Sequence, residues 1–280
     1  MNKILVLGAS GLLGRVLVDF FKQKNNLVGA VSRKPIGYTE KNITAYVASI
    51  LDCISLDSII KEYDVIINCT GQITSPINQC LLLNTDGIAN IVDAVAKYNK
   101  KLIHISSVSV YGTADYVNED SNVNPETSYG SMKYFSDYLV EARLTNYTIL
   151  RVSNLFGRNQ KKGVINYVIK SYLSNKKDLY FNNNGDLKRY YLHVEDFALI
   201  IHEVMSRDIV GLYNVVGKDQ LTIKELVAKL GSILDFKFNV NYTDIPSVEN
   251  IERIDTGKID NLINQNYKTD IENFIVDLRI

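Results

Sequence analysis

Short, mostly apolar runs alternate with amphipathic stretches along the first 150 residues. Runs at 4–7, 27–31, 65–67, 101–106 and 147–152 have strand length, and their near-continuous apolar character fits strands buried on both faces. A run at 44–47 fits one more strand. Between these runs, apolar positions recur three and four apart. Leu13, Leu17 and Phe21 form one i, i+4 row, Leu12, Val16 and Phe20 form its neighbour, and Arg15, Asp19 and Lys22 fall outside both. A short helix is predicted at 55–61, capped by Asp52 or Ser55. Residues 80–98 read as a single long helix, with Leu81, Leu82, Ile88, Ile91, Val92 and Val95 on its apolar face, and another helix opens at 129–133 and runs to about 145. Strands alternating with helices in this way predict a doubly wound, mostly parallel α/β sheet.

Beyond residue 154 the pattern loosens. A basic loop at 157–163 leads to a helix at 164–173, a strand over 179–185 with an Asn-Asn-Asn-Gly turn, a strand at 190–194 and a helix at 195–205. A short strand at 213–216 precedes a helix at 222–230, where Thr222 and Glu225 have capping-box spacing. These short elements suggest a small lobe over the sheet edge. The expected division is a dinucleotide-binding domain at 1–154 and 189–206, with a small C-terminal substrate lobe at 155–188 and 207–280.

The turn after the first strand changes the picture from architecture to chemistry. Gly8, Gly11 and Gly14 stand three apart between a buried strand and a helix, which frees the backbone to turn tightly and brings bare main chain close to a ligand. Unpaired N–H groups and the helix dipole then point at one place, a site for the pyrophosphate of a dinucleotide, with Ser10, Leu12 and Leu13 completing the turn. At the end of the second strand an acid would bind the ribose hydroxyls of NAD, whereas a hydroxyl and an arginine accept the 2'-phosphate of NADP. This chain has Ser32 and Arg33 followed by Lys34. NADP is therefore expected, with NAD as the alternative; a merely solvated loop is the plainer explanation of the same charges. Cys69, Thr70 and Gly71 close the strand at 65–68 on the sheet edge where open α/β sheets hold ligands.

Composition narrows the partners. Lysine plus arginine and aspartate plus glutamate number 31 each, and no basic run occurs, so neither a nucleic-acid surface nor a polybasic membrane anchor is indicated. No apolar run approaches the length of a membrane span, and the first strand pattern opens by residue 4, so a cytoplasmic protein is expected. Cys53, Cys69 and Cys80 lack metal-ligand spacing and are expected to be reduced thiols, and no metal site is expected.

Two tyrosines are followed four residues later by a lysine, Tyr129 with Lys133 and Tyr172 with Lys176. Position favours the first pair, because it follows a serine-rich loop, Ser106 to Ser109, at the end of a buried strand beside the expected cofactor. Hydride transfer to a carbonyl builds negative charge on oxygen that a phenol neutralises with its proton. A neighbouring ammonium favours the phenolate, and the Ser107 hydroxyl would hold the substrate oxygen.

With these motifs the chain resembles the extended short-chain dehydrogenase/reductase family, in its nucleotide-sugar epimerase/dehydratase branch. Matches run in order through Gly8-x-x-Gly11-x-x-Gly14, Asn84, Ser107-Val-Ser-Val-Tyr-Gly, Tyr129-x-x-x-Lys133, Arg151-Val-Ser-Asn154 and Arg189-Tyr-Tyr-Leu-His-Val-Glu-Asp196. The resemblance implies a Rossmann domain, a Ser107, Tyr129, Lys133 triad with Lys133 also on the nicotinamide ribose, and Asn84 supporting the active site. It also implies Asn154 and Arg189 facing the diphosphate of a nucleotide-sugar, and a homodimer built from helices like those at 84–98 and 130–145. Val108 and Ser109 stand where the family's sugar dehydratases carry an Asp-Glu pair, which argues against 4,6-dehydration. Ser32 stands where NAD-retaining epimerases carry aspartate, and Ser49 replaces an aspartate that contacts adenine. The reading that results is an NADPH-dependent reductase of a keto group on a nucleotide-linked deoxysugar. An NAD-retaining epimerase and a non-catalytic dinucleotide-sensing regulatory protein are the alternatives.

Overall fold

The computed structural model of the protein describes residues 3–264 and 267–278. Its first part runs β1 (Lys3–Leu7), α1 (Leu12–Gln23), β2 (Leu27–Ser32), β3 (Ile43–Val47), α2 (Cys53–Ile60), β4 (Val65–Asn68), α3 (Ile77–Asn84), α4 (Asp86–Lys97), β5 (Lys101–Ser107). Next come β6 (Ala114–Val117), α5 (Ser128–Arg143), β7 (Tyr147–Val152), β8 (Asn154–Phe156), α6 (Val164–Leu173), β9 (Asp178–Phe181) and β10 (Lys188–His193). The chain finishes with α7 (Val194–Ser206), β11 (Gly211–Val215), β12 (Asp219–Thr222), α8 (Ile223–Ile233), β13 (Asn239–Tyr242), β14 (Ile251–Ile254), α9 (Gly257–Asp260) and α10 (Ile271–Asp277).

Seven strands form the central sheet in the order β11-β7-β5-β4-β1-β2-β3, and every neighbouring pair is parallel. Helices cover both faces, as the doubly apolar strands require. On one face α1 and α7 bury Leu13, Leu17, Phe21, Phe197 and Ile201; on the other α2, α4 and α5 bury Leu56, Ile60, Ile91, Val95 and Val140. The strand order reverses between β1 and β4, which opens a crevice at their carboxyl ends.

A smaller lobe contains the three-stranded sheet β12-β10-β8 and the pair β13-β9. Its own core gathers Ile165 and Val168 from α6, Leu226 and Leu230 from α8, and Phe274 from α10. Thr222 caps α8 in the expected box with Glu225. Among the described residues no helix is long and apolar enough to cross a membrane.

Three differences from the sequence pattern bear on the site. The helix expected over 80–98 is two helices, α3 and α4, broken at Thr85 with φ −114° and ψ −83°. Thr85 Oγ1 turns back onto the Leu81 carbonyl, a bond that competes with regular helix, and Asn84 is tied to neighbouring elements from both its side chain and its backbone. Second, β11, expected within the 207–280 lobe, is the edge strand of the main sheet beside β7, where Leu212, Tyr213 and Val215 are buried. Third, β14 returns to pair in parallel with β6, a segment with no strand signature beforehand. That pairing carries the 243–250 stretch back towards the start of α5, where Glu249 N–H is bonded to the Glu126 carboxylate.

Candidate active site

The turn between β1 and α1 is closed by Gly8 N–H on Val31 O at 3.0 Å and Gly11 N–H on Gly8 O at 2.9 Å. Gly8 adopts φ +85°, which disfavours any side chain there. A Cβ on Gly14 would lie 2.2 Å from Gly8 O, so the third glycine lets helix and strand touch. No side chain caps α1, so its first N–H groups, those of Leu12 and Leu13 among them, stay available to an anion beside exposed Ser10 and Gly11. These features fit the pyrophosphate of a dinucleotide.

At the end of β2, Ser32 is buried and its hydroxyl is already donated to Lys34 O, while Arg33 is exposed. Of the two residues expected at the 2'-phosphate, the arginine is the one with its donors open to solvent. At the end of β4, Asn68 Oδ1 accepts from both the N–H and the hydroxyl of Thr70, and Cys69 N–H is held by Leu7 O. Burial pushes the Cys69 thiol up to about 12, which keeps it protonated. Gly71 O accepts from Asn84 Nδ2 at 3.2 Å; the same amide bonds Cys80 O at 2.9 Å, and Asn84 O accepts from Ser136 Oγ on α5 at 3.0 Å. Asn84 thus ties the cofactor edge to α5 and is bound to scaffold.

Thr127 caps α5 through Gly130 N–H at 3.1 Å and launches Tyr129, Lys133 and Asp137 along one face. Lys133 is fully buried, with Nζ on Ile105 O at 3.0 Å and Thr70 O at 3.2 Å. The Tyr129 phenol faces Ser107 and Gln72, which act to lower it, while burial pushes it above its ordinary value. Burial also brings Lys133 down to about 8, against the opposing pull of the Asp137 carboxylate. The Tyr129 phenol, the Ser107 hydroxyl and the Lys133 side chain therefore gather at the carboxyl ends of β4 and β5, beside the β1/β4 crevice.

Tyr172 stands elsewhere. It packs edge-on against Phe236 in the small lobe at 5.4 Å, and α6 ends at Leu173, so Lys176 is on no shared helical face with it. The two residues expected at the substrate lie on the small sheet. Asn154 is exposed at the start of β8, opposite Tyr191 of β10, and Arg189 is on β10. The Arg189 guanidinium donates to the carbonyls of Lys188 at 2.9 Å, Glu249 at 2.7 Å and Val248 at 3.3 Å, with the Glu249 carboxylate 4.0 Å away. Its acidic neighbour is thus Glu249, while Asp186 pairs with Lys224.

Three participants had no role assigned from sequence: Gln72, Glu249 and Asp137. Gln72 and Glu249 sit in loops without periodicity. Asp137 carried a signal, its place four residues after Lys133.

Residues 4–216 match the family model described as NAD dependent epimerase/dehydratase family. The chain belongs to that family. It is thereby an oxidoreductase-type enzyme of the extended short-chain dehydrogenase/reductase class. Methionine adenosyltransferase 2 subunit beta from Xenopus tropicalis is 27% identical over 246 residues, covering 82% of this chain and 71% of that one. The structure of DesIV, a dTDP-glucose 4,6-dehydratase from Streptomyces venezuelae with NAD and TYD bound, superposes with TM-score 0.90 at 19% identity, covering 98% and 95% of the two chains. UDP-glucose 4-epimerase from Thermotoga maritima with UDP-glucose gives 0.84 at 20% identity, covering 98% and 96%. At these identities the two structures establish the shared fold.

Proposed function

We propose that this family member is an NADPH-dependent reductase acting on a keto group of a nucleotide-linked deoxysugar. The observation that carries the reading is the convergence of Ser107, Tyr129 and Lys133 on the cofactor edge, with Lys133 bonded to Thr70 O. The nicotinamide, when bound, supplies the hydride. Ser107 and Tyr129 hold the carbonyl oxygen, the Tyr129 phenol gives up its proton as charge builds there, and the Lys133 ammonium stabilises the phenolate that remains. Pyrophosphate falls to Gly8, Gly11, Gly14 and the N–H groups of Ser10, Leu12 and Leu13, with Cys69, Thr70 and Gly71 lining the nicotinamide half. Asn154 and Arg189 take the substrate diphosphate, for which Arg189 must exchange its carbonyl partners for phosphate oxygens. The segments 155–188 and 207–280, without β11 and the Ile259 and Ile263 turn that pack on the main sheet, serve as the substrate lobe.

Cofactor choice separates this reading from the epimerase, which uses the same residues but must retain its nicotinamide through oxidation and re-reduction. No acid ends β2, and a dianionic 2'-phosphate on Arg33 gains charge-assisted bonds worth about 1.5–3 kcal/mol, roughly ten- to a hundredfold in affinity. Arg33→Ala is expected to erase most of the NADPH preference and leave NADH affinity nearly unchanged in titration calorimetry. Stoichiometric NAD that survives dialysis, with cofactor choice unaltered in Arg33→Ala, would replace the reductase with the epimerase. The relative named as a subunit of methionine adenosyltransferase supports a second reading, a dinucleotide-binding regulatory subunit; a nucleotide-sugar reductase activity that depends on Tyr129 excludes it.

A further inference from the structure

Beneath the triad lies a buried polar cluster that the proposed chemistry does not use. Asp137 on α5 and Arg151 on β7 are joined by Arg151 Nε on Asp137 Oδ2 at 3.0 Å, at 0% and 3% exposure. The Arg151 guanidinium also stands over the Tyr111 ring, 4.9 Å from its centroid. His104 on β5 accepts at Nδ1 from Asn68 Nδ2 at 3.1 Å, and its Nε2 is 3.9 Å from Asp137 Oδ1. The second Asp137 oxygen, His104 Nε2, Arg151 Nη1 and Ser106 Oγ are all buried without a hydrogen-bond partner in the structure. Four open valences around one carboxylate are more than a fold-stabilising ion pair needs, since buried polar groups are nearly always satisfied.

The charge balance of this cluster gives it a use. Arg151 is a permanent cation. Lys133 lies one helical turn from Asp137 on the same face, about 5–6 Å between Cβ atoms. With Asp137 ionised, the two cations and one anion leave a single net positive charge beneath Tyr129. Without it, two cations would share a dry site, and the lysine, the only one of the two able to lose its proton, would lose it.

We infer that Asp137 is a positioning residue that keeps Lys133 charged beneath Tyr129, and so sets the pH range over which the phenol can act. Every ionisable group facing Lys133 bears on this. Tyr129 and Asp137 come from α5, His104 from β5, Arg151 from β7, Cys69 from the end of β4 and Cys80 from α3, with Glu249 reaching the phenol from the returning loop. Burial holds His104 neutral and raises both thiols; it raises Asp137 too, but there the Arg151 guanidinium opposes it, so Asp137 is the acid whose charge acts on Lys133. Burial has already brought the lysine to about 8 with Asp137 present. Loss of a nearby opposite charge displaces such a group by about 1–3 pH units.

The inference rests on Tyr129 and Lys133 as the reacting pair, and its test is arranged to fail separately from that reading. Three variants are compared with the parent: Asp137→Asn, which removes the anion, Arg151→Met, which leaves Asp137 facing Lys133 alone, and Asp137→Glu, which keeps the charge. In Asp137→Asn the alkaline limb of the kcat profile should move about 1–3 units towards acid, with KM for the cofactor changed less than kcat, in Arg151→Met it should move towards alkali, and Asp137→Glu should keep the parent profile. Tyrosinate absorbance, with the Tyr129→Phe curve subtracted to isolate Tyr129, should titrate at higher pH in Asp137→Asn. An Asp137→Asn variant whose rate profile and Tyr129 titration both superimpose on the parent's overturns the inference, and where that variant does not fold, an Arg151→Met profile that superimposes on the parent's does so. If Tyr129→Phe keeps full turnover, the functional reading falls instead, and the absorbance titration still decides whether Asp137 acts on Lys133 and Tyr129.

Discussion

Tyr129 and Tyr172 have the same spacing to a lysine, and only their surroundings tell them apart. Tyr129 faces Ser107 and Gln72, one turn from a lysine that is bonded to Thr70 O, whereas Tyr172 leans on Phe236 with no lysine three or four residues from it on its helix. A phenol used as proton donor cannot be replaced by a ring of the same shape without losing the chemistry. Tyr129→Phe should therefore lower turnover at least ~100-fold with little change in cofactor affinity, and Tyr172→Phe should leave turnover near normal. Steady-state kinetics with fluorescence titration of NADPH checks both, and an inactive Tyr172→Phe beside an active Tyr129→Phe would reverse the assignment.

At the scale of elements, contacts made within one element were readable and contacts between elements were not. The β1 turn and α1 are local: the glycine spacing, the buried row of Leu13, Leu17 and Phe21, and the half-buried row beside it follow from adjacent residues. Gly14 illustrates how firmly that local geometry is held. A methyl group there would meet Gly8 O, and the backbone has no side chain to move aside, so Gly14→Ala should cost about 1–3 kcal/mol by overpacking and displace the N–H groups meant for pyrophosphate. A lower denaturation midpoint together with weakened dinucleotide binding is expected, and an unchanged melt would mean that strand and helix do not touch as described. The break at Thr85 was illegible because Asn84 bonds to Gly71 and Ser136, 13 residues upstream and 52 downstream, and no periodicity encodes those partners. The strand at β11 was legible but its place in the main sheet was not, and β14 was missed, since four- and five-residue strands take their place from the partner strand. Within the candidate site, the triad was legible because its residues end a strand or open a helix. Gln72 and Glu249 reach it from loops.

At the scale of the whole molecule, α3 and α5 leave an apolar surface facing solvent. Ile77, Leu81 and Leu82 of α3 and Tyr134, Phe135 and Tyr138 of α5 are between 39% and 58% exposed. Such side chains on neighbouring helices form a patch of the kind monomers rarely leave open, and zero formal net charge puts no long-range repulsion between two copies. We propose that a second copy of the chain covers it in a two-fold, self-complementary contact, α5 against α5. Complete burial of such a side chain stabilises by about 1.5–3 kcal/mol, and these are roughly half buried already, so six from each copy supply about 9–18 kcal/mol. That range overlaps the roughly 4–15 kcal/mol that association costs, so a micromolar dimer, which needs a surplus of about 8 kcal/mol, requires most of the patch to be covered. The double change Phe135→Glu with Tyr138→Glu places four acids across the two-fold axis without disturbing a buried position. It should sediment as a monomer with the parent's circular dichroism, while the parent sediments as a dimer. A monomeric parent at tens of micromolar would remove the α3 and α5 face from any self-association, and would leave the catalytic helix α5 with one side permanently in water.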